Sequence, residues 1–360
     1  MKKVLIFSTA YFPLIGGAEV AIREVTNRIT DFDFHLITAK IKPGLADTEK
    51  IGNVTVHRCG FGYPLDKYLL PFLGSWRALQ IAKPEDVQAI WALMASYGGF
   101  TALVYTWLRP KTKMLLTLQE GDPLDYIEKR VGIFHSFFKR IFIRANAVQA
   151  ISRFLADWSV RMGFKGAPKV IPNGVDVQAF ATHSESSPGH FFGKEGDSED
   201  FLIVTASRLV LKNATDDIIR ALPSLAEKVK LVVVGDGEDR EMLVKLANDL
   251  GVTERVLFMG TKTHAELPAI LQACDVFCRP SLSEGLGNSF LEAMAAGLPI
   301  IGTPVGGIPD FLTDGETGLF CQPRDPASIA AAVSRIQSEP GLKKLVQQGG
   351  QLARTGYDWM

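Results

Sequence analysis

The sequence predicts an α/β protein of two domains, each a mostly parallel sheet with helices on both faces, and three observations carry the prediction. Short β-branched runs alternate with segments of helical period along the whole chain. The 360 residues exceed what one core needs. Midway, a Pro172-Asn173-Gly174 turn and a polar stretch rich in Gly, Ser and acidic residues interrupt the series before a second alternation begins. Domains are therefore expected over 1–172 and 173–360.

Composition, 47% apolar and 22% charged, is that of a soluble globular protein. No run of 18 uncharged apolar residues is present, so no membrane span is expected. Net charge is zero but unevenly placed: residues 1–172 hold 23 Lys and Arg against 14 Asp and Glu, and the rest hold 16 against 25. The first half thus carries an excess of +9, which bears on which half meets an anionic surface. A nucleic-acid partner is not expected. Cys59, Cys274, Cys278 and Cys321 lack metal-site spacing and sit in apolar settings, as reduced thiols of a cytoplasmic protein do.

Taken in order, the opening Met1-Lys2-Lys3 and its apolar run read as a first strand over 3–8, because the run meets Tyr11, Pro13 and a Gly pair without a small-residue cleavage site. Further strands are expected at 34–38, 54–57, 89–91, 114–118, 147–151 and 169–171, with helices at 18–29 and 69–81 among those between them. Gly16-Gly17, at the first strand-to-helix turn, lets backbone approach a ligand at a helix N-terminus; packing is the alternative. Gln119-Glu120-Gly121-Asp122 follows the 114–118 strand. Strand carboxyl ends face the ligand crevice in such sheets, so Glu120 and Asp122 are candidates for catalysis, while Asp122 before Pro123 also fits a helix N-cap. Phe134, Phe137, Phe138, Ile141 and Phe142 form a band at helical spacing rimmed by Lys129, Arg130, Lys139, Arg140 and Arg144. Either it covers the sheet or it rests on anionic lipid as a peripheral membrane contact.

In the second half, strands are expected at 201–206, 231–234, 256–259, 276–278, 299–302 and 318–321. Helices are expected at 213–227, 238–250, 264–272, 289–296 and 326–336. Arg208 and Lys212, just past the first of these strands, suit a diphosphate: one offers a planar fork, the other a point charge. Gly235 and Gly237 permit close backbone passage, or simply a turn capped by Asp236. The loop Ser281–Glu292 reads as a ligand-sized turn entering a helix near Asn288 or Ser289, whose free N–H groups favour phosphate. Glu284 and Glu292 are acceptors suited to vicinal hydroxyls. Diphosphate, diol and sugar together describe a nucleotide-sugar.

These residues, with the Ile171–Asp176 junction and the Gly306-Gly307 turn, resemble in order and over nearly the whole chain the retaining glycosyltransferases of the GT4 group. That resemblance implies the GT-B fold, two facing Rossmann-like α/β/α domains with a cleft between them. It implies that Arg208 and Lys212 hold the donor diphosphate, that Glu284 contacts the transferred sugar, and that Glu292 binds the ribose. It further implies that backbone around Gly285, Leu286, Gly287, Asn288 and Ser289 supports sugar and phosphate, with Gly16, Gly17 and Gly235 near the diphosphate and Gly260 near the base. The implied reaction is front-face hexosyl transfer from a nucleotide-diphosphate-sugar to a glycan or lipid-linked acceptor, in cell-envelope polysaccharide or glycolipid synthesis. No cofactor or metal is expected. Three departures stand out: Asn213 replaces the family's Gly, Gln119-Glu120-Gly121-Asp122 stands where many relatives carry a His, and Tyr357 and Trp359 lack the following cross-over helix. The last two leave open a nucleotide-sugar-binding partner impaired in catalysis; a nucleotide-sugar epimerase is the remaining reading.

Overall fold

A computed structural model describes residues 1–14, 16–181, 191 and 200–359. Most of the polar stretch read as a connection and exposed loop falls outside the described residues. The chain divides into two compact units, Met1–Pro172 and Asn173–Met360.

In the first unit the strands are β1 (Lys2–Phe7), β2 (Phe32–Ala39), β3 (Thr48–Ile51), β4 (Val54–Cys59), β5 (Val87–Leu93), β6 (Met114–Leu118), β7 (Ala147–Ala150) and β8 (Lys169–Val170). Among the described residues they form one sheet in the order β3-β4-β2-β1-β5-β6-β7-β8. All pairs are parallel except β3 with β4. That antiparallel edge was not anticipated: Thr48–Ile51 is a short polar run, and its partner is reached through Gly52 at φ 57 and Asn53, a two-residue hairpin turn. Leu5, Ile6 and Phe7 are fully buried because helices cover the sheet on both faces.

The aromatic band splits rather than choosing one environment. Gly132, at φ 53, ends the helix Leu124–Val131, and a 3-10 turn over Gly132–Phe134 leads into the helix His135–Arg144. Phe138, Ile141 and Phe142 are buried, with the Phe142 ring 5.0 Å from that of Trp158, whereas Phe134 is 63% exposed. Asp122 does not cap the first of these helices: Pro123 occupies the cap position and the helix has no side-chain cap bond.

The second unit's strands are β9 (Phe201–Ala206), β10 (Val229–Val234), β11 (Val256–Gly260), β12 (Val276–Arg279), β13 (Ile300–Gly302) and β14 (Leu319–Phe320). They pair in parallel in the order β11-β10-β9-β12-β13-β14. Every residue of β10 is buried, as expected of a strand inside a doubly covered sheet. The expected helix over 213–227 is broken. Asn213 is drawn into a 3-10 turn, Ala214 adopts φ 51, and the α-helix is only Thr215–Ala221. A helix not anticipated, Lys343–Gly356, delivers Tyr357–Trp359 to the start of the unit. There Val175 N donates to Tyr357 O at 2.6 Å, and a Cβ on Gly174 would meet the Trp359 ring at 2.6 Å. Gly174 is thus required by packing; the turn expected at Pro172-Asn173-Gly174 is not formed, and Gly174 has no positive φ.

Both sheets reverse direction of growth beside their first strand, β1 between β2 and β5 in one and β9 between β10 and β12 in the other. In such sheets ligands bind outside the strand carboxyl ends at that reversal. The loops after β9 and β12, and those after β1, β5 and β6, lie at these edges.

Candidate functional site

In the second unit Arg279, the last residue of β12, organises the loops around it. Its Nη2 donates to Glu284 Oε2 at 2.5 Å and to Asn213 Oδ1 at 2.8 Å, while Nη1 donates to Ser289 Oγ at 2.9 Å. Asn213 Nδ2 in turn donates to the Arg208 carbonyl at 2.6 Å, and Leu282 N donates to the Lys212 carbonyl at 2.7 Å. One buried guanidinium thus ties the Arg208–Lys212 turn to the Glu284 loop and to the first turn of the helix Asn288–Ala295. Five donors in a rigid fork make this possible, and Lys could not reproduce it. The sequence reading missed Arg279. The signal was present, a cation ending the apolar run Val276-Phe277-Cys278 just before the polar loop.

The loop itself is set by close backbone approach. A Cβ on Gly306, at φ 57, would lie 1.9 Å from the Glu284 carbonyl, and Gly307 N donates to that same oxygen at 3.1 Å. Gly285 N donates to Glu284 Oε1 at 3.1 Å, and Gly287 adopts φ 97 as it leads into the helix through Leu286 and Asn288. The cap residue is Gly287, which has no side chain to accept from the first turn, and Phe290 N donates to its carbonyl at 3.0 Å. Glu292, one turn in, has a mostly buried carboxyl 3.8 Å from His264 Nδ1. Burial pushes its pKa up, opposed by His264 and Arg279.

Gly235 serves packing: a Cβ there would stand 1.9 Å from the Ser207 carbonyl, so the turns after β9 and β10 can touch. Its N–H donates to the Gly260 carbonyl at 2.8 Å; Gly260, at φ 67, is the half-buried end of β11, with open space where a side chain would be. Asp236 Oδ1 accepts from Gly237 N at 2.8 Å, as a turn-capping residue does.

In the first unit Gly16 caps the helix Gly17–Arg28, and both glycines are exposed at its N-terminus. Glu120 is only 7% exposed; its Oε1 accepts from Ala95 N at 2.6 Å, and burial pushes its pKa up to about 7. It therefore joins the ends of β6 and β5 beside Met94, which adopts φ 62. Asp122, two residues on, is exposed. Among the described residues no group of three His, Cys, Asp or Glu is placed to hold a metal, and the four cysteines are free and buried.

Comparison with known proteins gives a consistent placement. Residues 15–179 match the model of glycosyltransferase family 4, and residues 189–353 match that of glycosyl transferases group 1. The chain is 34% identical over 279 residues to a GDP-mannose-dependent alpha-(1-6)-phosphatidylinositol monomannoside mannosyltransferase of Mycolicibacterium smegmatis, covering 73% of this chain and 71% of that one. It superposes on HepE of Anabaena, solved with UDP and glucose, at TM-score 0.81 and 19% identity over 100% of this chain and 96% of that one. Sucrose-phosphate synthase of Thermosynechococcus elongatus gives 0.82 at the same identity and the same coverage of both chains. With two Rossmann-like units that each match a glycosyltransferase model, this chain belongs to the GT-B glycosyltransferases of the group 1 and family 4 kind, enzymes that move a sugar from a nucleotide-sugar to an acceptor.

Proposed function

We propose that the protein transfers a hexosyl group, with retention of configuration, from a nucleotide-diphosphate-sugar to a hydroxyl of a glycan or lipid-linked acceptor in cell-envelope polysaccharide or glycolipid synthesis. The observation that carries this is the Arg279 network, which holds Glu284 and the Arg208–Lys212 turn against the N-terminus of the helix Asn288–Ala295. Arg208, Lys212 and the helix N–H groups receive the diphosphate, and their attraction grows as the leaving phosphate gains charge. Glu284 takes a sugar hydroxyl and Glu292 the ribose diol. In the front-face step the C1–O bond to the diphosphate breaks while the acceptor oxygen bonds C1 on the same face. The departing phosphate oxygen takes the acceptor's proton. This chemistry asks for no metal, since cations already serve the diphosphate.

Support for a lipid-linked acceptor comes from two sides. The mycobacterial relative is named for a phosphatidylinositol mannoside acceptor, and the first unit carries the +9 excess that attracts an anionic leaflet. A panel of nucleotide-sugars in thermal-shift measurements, followed by acceptor-dependent release of nucleoside diphosphate, tests the reading. A donor that binds yet is never transferred to any member of a broad glycan and lipid panel would instead favour a binding partner without catalysis. Conversion of donor with no acceptor present would point to an epimerase.

A further inference from the structure

The helix Asp66–Ile81 in the first unit is apolar on two sides, and only one of them is covered. Inward, Leu70, Gly74, Ser75 and Ala78 are buried. Outward, Leu65, Leu69, Phe72 and Trp76 recur at helical spacing and are 69%, 41%, 69% and 61% exposed, with Tyr68 beside them at 51%. The loop that leads in from β4 adds Phe61 and Tyr63, at 74% and 64%. A contiguous apolar strip of this kind on a soluble protein marks a contact surface. A helix apolar on both faces would otherwise be enclosed in a core.

Charge selects the occupant. The lone acid between residues 60 and 81 is Asp66, and it is turned inward: its Oδ2 accepts from the backbone N–H groups of Phe61, Gly62 and Tyr63 at 2.8, 2.7 and 3.0 Å. The cations are at the rim. Lys67 Nζ stands 5.3 Å from the Tyr68 ring and 6.0 Å from that of Tyr97, and Arg130 lies beside Tyr97 and Tyr68. Tyr and Trp beside Lys and Arg, over aliphatic side chains and with no exposed carboxylate between residues 60 and 81, match the lipid headgroup boundary. A two-fold contact between copies of this chain would set like charges of this rim near one another. The strip also begins at the carboxyl end of β4, the edge of the sheet where ligands bind.

We infer that the exposed face Leu65–Trp76, continued by Phe61 and Tyr63, docks the first unit on an anionic membrane surface, with Lys67 and Arg130 at the headgroups. The contact is peripheral; no described helix is long and apolar enough to span a bilayer. Of the two environments considered for the 129–144 segment, Phe138 and Phe142 take the core. The use of the docking face, bringing the strand edge to a lipid-linked acceptor, rests on the function proposed above; the docking itself is measured without acceptor.

The test is co-sedimentation of the full chain with phosphatidylcholine vesicles, with and without phosphatidylglycerol, at low and high salt. Binding should require the anionic lipid and weaken with salt. Phe72→Ser/Trp76→Ser should lower vesicle partition at least tenfold, about 1.4 kcal/mol, while donor-induced thermal shift stays at the parental value. Brominated phosphatidylcholine should quench the wild type's tryptophan fluorescence, and Trp76→Phe should remove that quenching. Absence of wild-type binding, or binding and quenching that survive both variants, overturns the inference. So does a wild-type dimer in solution that the double variant converts to monomer. A donor assay that fails while vesicle binding behaves as stated would count against the proposed function and leave the docking face standing.

Discussion

The carboxyl edges of the two sheets are built on opposite principles. In the second unit that edge is a network in which Arg279 serves three loops and glycines let backbone touch backbone. In the first unit the comparable edge holds two separate buried carboxyls bonded to backbone, Glu120 to Ala95 N and Asp66 to the N–H groups of Phe61, Gly62 and Tyr63, and the helix that Asp66 begins leaves aromatic side chains in solvent. A site for a charged ligand needs its dipoles fixed before the ligand arrives, because reorganising them would forfeit the electrostatic gain. A surface that meets a larger apolar partner needs area and few fixed polar groups. Four experiments sharpen or break this contrast.

The largest effect is expected at Arg279. Arg279→Ala leaves the Glu284 carboxylate buried without its partner, and both side chains are nearly excluded from solvent. Unfolding free energy should fall by about 3–5 kcal/mol, with Arg279→Lys recovering only part of it. Urea denaturation reads the change, and a loss below about 0.5 kcal/mol would mean that the network does not hold these loops.

Glu120 gives the corresponding test in the first unit. Its folded pKa, about 7, lies above its ordinary 4.5 because burial disfavours the anion. The native state therefore holds the proton more tightly. Stability from this group is complete below about pH 4.5 and is lost as pH rises through about 7, to a total of about 3 kcal/mol. Glu120→Gln keeps an oxygen for Ala95 N and should flatten stability between those pH values. A parental slope in the variant would place the titration elsewhere.

Arg208→Ala or Lys212→Ala should lower turnover at saturating donor by tenfold to a hundredfold, roughly 1.4 to 2.7 kcal/mol. Near-parental turnover from a correctly folded variant would move the diphosphate away from this turn. Glu292 gives an effect on donor binding rather than on turnover. Glu292→Ala should weaken donor binding by about 1–3 kcal/mol by leaving ribose hydroxyls unpaired. Comparison of ribo- and 2'-deoxy-donors decides it, because equal discrimination by both proteins would make Glu292 an ordinary helix carboxylate.

Much of the fold was legible because its signals are local. Strands such as Met114–Leu118 and Phe201–Ala206 are short apolar runs bounded by turn residues, and their expected limits coincide with those found. Turn chemistry likewise exposed the loop that enters the helix Asn288–Ala295. The sequence by itself determined two alternating series, hence two α/β units, and it determined which loops carry carboxylates and cations. Tertiary structure decided the rest. The reach of Arg279 to Asn213 and Ser289 joins residues 66 and 10 positions away, which no local pattern encodes. The bond of Tyr357 O to Val175 N likewise spans nearly the whole second unit. The same holds for the aromatic side chains. Periodicity groups Phe134 with Phe138, but only the covering helices determine that Phe138 is buried while Phe134 meets solvent. Helical period reports that a side chain is apolar and where it points around an axis; what stands opposite it is a property of the packed chain.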